Sequence, residues 1–233
     1  MNQRLYGRLV VALVAFVAVP AFANFIQVGG GAGPLPASAL DLTGAFPTVI
    51  QGVLDGSDPN TVNMFKIDIL EPNLFSAFTF FPGVFGVEDP ALFLFNSSGA
   101  GVYMNDDEDP ANAADTQACL PSSAANPCPQ ALPPGLGPLA PGNYFLAITR
   151  SANYPVDASL NEIFSPLNST DVVGPNGGVG PVAGWDGGAF ASPDTDLVNY
   201  DIILAGTTPE PATWVMMVGA GLGLLLLRRL VRC

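Results

Sequence analysis

The chain has 233 residues, a formal charge of −13, 49% hydrophobic residues and no histidine. Five of its seven basic residues lie near the two ends, so residues 24–208 hold only Lys66 and Arg150 against 19 acids, a net of −17. A body this acidic repels nucleic acid and anionic lipid surfaces. The missing imidazole removes Ser-His-Asp and Cys-His nucleophile pairs, His-ligated zinc and His-ligated haem.

Residues 1–23 read as a signal peptide. Arg4 and Arg8 precede an uncharged apolar run over 9–19, Pro20 breaks it, and Ala21-Phe22-Ala23 supplies a small-x-small cleavage pattern. Those 11 residues are too few to cross a hydrocarbon core of ~30 Å. Asn24 is the expected first mature residue. Residues 24–45, rich in Gly, Ala and Pro without lasting periodicity, predict a flexible lead-in.

From 46 to 206 the apolar runs are short and bounded by turn residues, which predicts one all-β domain, an antiparallel β-sandwich. Strands are expected at 48–54, 65–69, 74–81, 91–95, 102–104, 144–149 and 198–204. In 65–69, Phe65, Ile67 and Ile69 alternate with Lys66 and Asp68, the pattern of a half-buried strand. Residues 91–95 are apolar on both faces and predict a central strand. Residues 105–142 and 151–196 lack this pattern; both read as long loops, either functional or disordered, with the Gly-rich stretch 174–188 flexible. Cys119 and Cys128 enclose eight residues and are expected to form a disulfide in an exported protein.

At the far end Pro209-Glu210-Pro211 leads into an uncharged run over 212–227, followed by Arg228, Arg229 and Arg232. As a helix those 16 residues reach about 24 Å, a marginal transmembrane length, and the arginines place the C-terminus in the cytoplasm. Cys233 lies in that tail and is expected to be lost with it. This tripartite arrangement over 207–233 resembles the PEP-CTERM sorting signal of Gram-negative bacteria. The resemblance implies recognition by an exosortase-type enzyme, removal of the tail near the PEP motif, transient inner-membrane anchoring, and delivery to the envelope surface or an exopolysaccharide matrix.

More loosely, about 85 residues of the core are similar to the bacterial pre-peptidase C-terminal type of β-sandwich, a jelly-roll-like fold. The matching residues are Asn63-Met64-Phe65-Lys66-Ile67, then Asp89-Pro90-Ala91-Leu92-Phe93-Leu94, the turn at 99–101, Asn105-Asp106-Asp107, and Leu139-Ala140-Pro141-Gly142-Asn143-Tyr144-Phe145. The proline-rich insertion carrying Cys119 and Cys128 departs from that family, which implies an accessory or binding module rather than a catalyst.

The sharpest chemical cluster is Asn105-Asp106-Asp107-Glu108-Asp109, with Asp89 at the turn before it. Calcium takes six to eight oxygen ligands, and Asp89, Asn105, Asp106, Asp107 and Asp109 are the candidates to supply them. The spacing is not that of an EF-hand, and adjacent Asp106 and Asp107 would diverge in an extended loop. A solvated acidic turn is the competing reading. No catalytic residues stand out. Two further readings stay open: a glycan-binding module using Tyr103, Tyr154 or Trp185, and a hydrolase using a pair of carboxylates.

Overall fold

The computed structural model describes residues 24–27, 31–55, 58, 61–80, 89–109, 111, 116–124, 127–187 and 197–208. All of them lie in one compact unit, 22–209. The expected signal peptide, 1–23, and residues 209–233 of the expected sorting signal fall outside the described residues. Among the described residues there is no α-helix, and no helix is long and apolar enough to cross a membrane.

Among the described residues there are twelve strands: β1 Asn24–Gln27, β2 Leu40–Asp41, β3 Pro47–Asp55, β4 Val62–Ile69, β5 Ser76–Phe80, β6 Pro90–Asn96, β7 Gly101–Asn105, β8 Cys119–Leu120, β9 Gly142–Arg150, β10 Pro155–Val156, β11 Gly184–Trp185 and β12 Leu197–Ala205. One five-stranded sheet has the order β1-β3-β12-β5-β8 and a second the order β2-β4-β9-β6-β7; β10 and β11 make a small ribbon. All seven expected strands are present. The pairing is antiparallel except at one edge of each sheet, where β1 lies parallel to β3 and β2 parallel to β4. The sheets are therefore mixed rather than wholly antiparallel.

The two sheets face each other across one core. Ile50, Leu54, Ala77, Leu120, Tyr200, Ile202 and Leu204 of the first meet Phe65, Ile67, Ile69, Leu92, Leu94, Tyr103, Leu146 and Ile148 of the second. The period-2 alternation of β4 and β9 sends every second side chain into this core. Tyr200 lies over Gly52, where a Cβ would collide with its phenol, and Asn63 Nδ2 donates to the Tyr200 hydroxyl at 2.7 Å.

The second sheet is buried on its other face as well. Met64, Ala91, Phe93, Phe95, Phe145 and Ala147 point away from the main core and pack against Ile163, Phe164, Val182 and the partly buried Leu35, Ala39 and Trp185. This explains why 91–95 reads apolar on both faces, and it corrects two expectations. In the expected lead-in, residues 24–27 and 40–41 contribute an edge strand to each five-stranded sheet, and Leu35 and Ala39 cover apolar surface. The segment 151–187, with most of the Gly-rich stretch, forms a packed cover held by its own apolar anchors and by the β10–β11 ribbon. Fully burying one large apolar side chain contributes roughly 1.5–3 kcal/mol, so these anchors help to hold the segment although they follow no regular period. The first insertion is likewise built in, since β8 adds an edge strand to β5.

Candidate functional site

Three chain segments converge at one end of the second sheet. β6 pairs with β7 through Leu92↔Asn105 and with β9 through Pro90↔Arg150. Antiparallel register therefore brings the residue before β6, Asp89, beside those that follow β7, Asp106 and Asp107, and the one that follows β9, Ser151. The Ser151 amide donates to the Asp89 carbonyl at 2.7 Å.

β7 ends at Asn105, and the chain bends at Asp106. The bend cancels the strand alternation that would separate neighbouring side chains. One carboxylate oxygen each from Asp89, Asp106 and Asp107 lie within 4.8 Å of one another. The divergence expected of Asp106 and Asp107 does not occur.

Asn105 and Asp109 stand outside this group. The Asn105 side chain is committed to the backbone: Oδ1 accepts from the Cys119 amide at 2.8 Å, and Nδ2 donates to the Asp107 carbonyl at 2.9 Å. It shapes the loop rather than offering a ligand atom. Asp109 Oδ1 accepts from the Ala111 amide at 2.8 Å in a local turn. Of the five candidate ligands, Asp89, Asp106 and Asp107 are the three whose carboxylates come together.

Asp106 is 1% exposed. Its Oδ2 accepts from Ser151 Oγ at 2.9 Å and from the Tyr154 hydroxyl at 3.4 Å, whereas Oδ1 is buried without a hydrogen-bond partner among the described residues. Asp107 Oδ1 is buried and unpartnered in the same way. Burial, reinforced by the charges of Asp89 and Asp107, pushes the Asp106 carboxyl up to about 7. Burial and the Asp107 charge raise Asp89 to about 6, against the opposing pull of Arg150. The Tyr154 phenol is raised by burial and by the Asp106 charge. Ser151 and Tyr154 carry no local sequence signal for this role, because only the β6–β9 register brings them to Asp106.

The aromatic residues expected to be exposed are not free platforms. Tyr103 is fully buried, its hydroxyl 3.4 Å from the Pro121 carbonyl it donates to. Trp185 Nε1 donates to the Pro34 carbonyl at 2.8 Å, and the indole stands edge-on to Phe93 with ring centres 5.4 Å apart. Tyr154 meets Phe93 edge-on at 6.2 Å. All three are engaged in packing the second sheet or its cover.

Cys119 and Cys128 form the expected disulfide, with Cα atoms 5.7 Å apart. It closes a loop beside the site, since the Cys119 amide is the donor to Asn105. Pro209, Glu210, Pro211, Arg228, Arg229 and Arg232 lie outside the described residues. The chain matches no protein-family model and no curated protein.

Proposed function

We propose that this chain is an exported, non-catalytic surface or matrix protein, delivered by a signal peptidase and an exosortase-type enzyme and retained with exopolysaccharide. The observation that carries the reading is the order of Pro209-Glu210-Pro211, an uncharged run and three arginines at the C-terminus, matched by a signal-peptide pattern at the N-terminus. The Cys119–Cys128 disulfide supports it, because such bonds persist in oxidising compartments outside the cytoplasm. In this reading the two sheets are a jelly-roll-like sandwich of the pre-peptidase C-terminal type, serving as an accessory module. A carboxylate-pair hydrolase fits less well: Asp106, whose raised carboxyl would suit a general acid, is too buried to reach a glycosidic oxygen. Glycan binding through Tyr103, Tyr154 or Trp185 loses support from their engagement in packing.

Mass spectrometry of exported material tests the reading. The mature form is expected to begin at Asn24 and to yield no peptide beyond Pro211. Recovery of residues 214–233 on exported protein would refute it. Replacing Arg228, Arg229 and Arg232 with Ala is expected to impair retention and processing, since the cytoplasmic charge stop is gone.

A further inference from the structure

We propose that Asp89, Asp106 and Asp107 together hold one calcium ion, which pins the cover segment 151–187 to the second sheet. A cluster of acids on a surface needs no ion, but here two carboxylate oxygens, Asp106 Oδ1 and Asp107 Oδ1, are buried without a donor among the described residues. An ionised carboxylate withdrawn from water needs a proton donor or a cation. Ser151 and Tyr154 serve only the other oxygen of Asp106. Arg150 acts on Asp89, while the charges acting on Asp106 are those of Asp89 and Asp107, both negative.

The donor set selects the ion. With no imidazole or thiolate in it, the group suits a hard cation over zinc or copper. Calcium binds oxygen at about 2.3–2.6 Å, so two ligands of one ion stand up to about 5 Å apart, and three oxygens within 4.8 Å of one another fit one such shell. Magnesium dehydrates reluctantly and is usually held by one or two carboxylates with several waters kept, so a cluster of three carboxylates suits calcium better. The strongly acidic body draws cations toward the site.

The same residues tie down the cover. Asp106 Oδ2 receives Ser151 and Tyr154 from the start of the segment, and the Asp107 amide donates to the Ser169 carbonyl at 3.0 Å. Met104, just before the site, exchanges two backbone hydrogen bonds with Val173. Fixing the two carboxylates therefore fixes the segment at 151–154 and again at 169–173.

The test uses the full chain and two probes. Thermal melts in 10 mM calcium and in chelator, at equal ionic strength, compare wild type with Asp106→Asn and with Asp109→Asn. Extracellular calcium modules bind at about 10⁻⁴–10⁻³ M, so the wild-type folding equilibrium is expected to shift about 10–100-fold toward the folded state. Asp109→Asn should respond like wild type, and Asp106→Asn should not respond. Terbium supplies the second probe. Tyr154 stands beside Asp106, so bound terbium should show tyrosine-sensitised emission that calcium displaces and Tyr154→Phe weakens. If Asp106→Asn does not fold, the terbium titrations of wild type and Tyr154→Phe decide alone. Coincident wild-type melts with no displaceable emission would overturn the proposal. So would an Asp106→Asn protein that gains as much from calcium as wild type.

Discussion

Two buried aspartates in this fold are treated in opposite ways. Asp157, 5% exposed in the cover segment, accepts from the backbone amides of Ser159, Asn161 and Gly180 and from Asn161 Nδ2. Those amides, Gly180 foremost, hold its carboxyl down at about 2. Asp106, 1% exposed, has two hydroxyl donors on one oxygen and, among the described residues, none on the other, and burial carries its carboxyl up to about 7. The cover segment thus meets one carboxylate with a complete set of donors, while the strand end below it leaves another incomplete. Asp157 is a structural brace satisfied within the cover segment, and Asp106 is the carboxylate that the proposed cation would complete.

The largest expected effect separates the cover's apolar anchoring from both carboxylates. Phe93 is fully buried and meets Tyr154, Phe164 and Trp185. Phe93→Ala should destabilise the protein by about 3–5 kcal/mol, read by denaturant unfolding, and should weaken calcium binding because Tyr154 loses its support. A cost under about 1 kcal/mol would mean that the cover is held mainly by its polar contacts.

Next comes the disulfide. Replacing Cys119 and Cys128 with Ser should cost about 2–3 kcal/mol in the loop-entropy description. It should also loosen the Asp106 loop more than the Asp157 loop, since the Cys119 amide anchors Asn105. Amide hydrogen exchange at 105–109 and at 157–161 would measure the difference, and equal protection changes would break the distinction.

Smaller effects should appear with pH, with opposite signs at the two sites. Asp157 has a folded-state value below the usual ~3.9, so its stabilisation is present above about pH 4 and is lost as pH falls toward 2. The melting-temperature gap between wild type and Asp157→Asn should close over that range. Asp106 and Asp89 have raised values, about 7 and about 6, so in chelator their contribution is greatest below about pH 4 and is lost as pH rises through 6 to 7. The Asp107 charge raises both values, and Arg150 opposes the rise at Asp89 alone. The advantage of Asp106→Asn over wild type should therefore grow from pH 5 to pH 8.

The seven main strands were legible because alternation or continuous apolar runs mark a face toward a core, as Phe65, Ile67 and Ile69 do. The short edge strands β1, β2 and β8 were not, because edge pairing uses backbone groups that leave no side-chain pattern. The packing of the cover leaves no periodic signal for a related reason. Ile163, Phe164, Val182 and Trp185 anchor it at irregular spacing, so periodicity sees only a Gly-rich loop. At the site, Asp89, Asp106 and Asp107 could be named from composition. Their convergence depends on the β6–β7 register and on a bend at Asp106, and neither the diversion of Asn105 to Cys119 nor the arrival of Ser151 and Tyr154 has a local signature.

The most direct measurement sets the two aspartates side by side. Thermal melts of Asp106→Asn and Asp157→Asn, at pH 8 in chelator, compare removal of an incomplete carboxylate with removal of a complete one. Asp157→Asn should lower the melting temperature, because an amide nitrogen replaces an oxygen that accepts hydrogen bonds. Asp106→Asn should leave it unchanged or raise it, because a buried charge facing Asp89 and Asp107 is gone. An Asp106→Asn protein that loses as much as Asp157→Asn would show that the chain itself completes Asp106, and the case for a bound cation would fall with it.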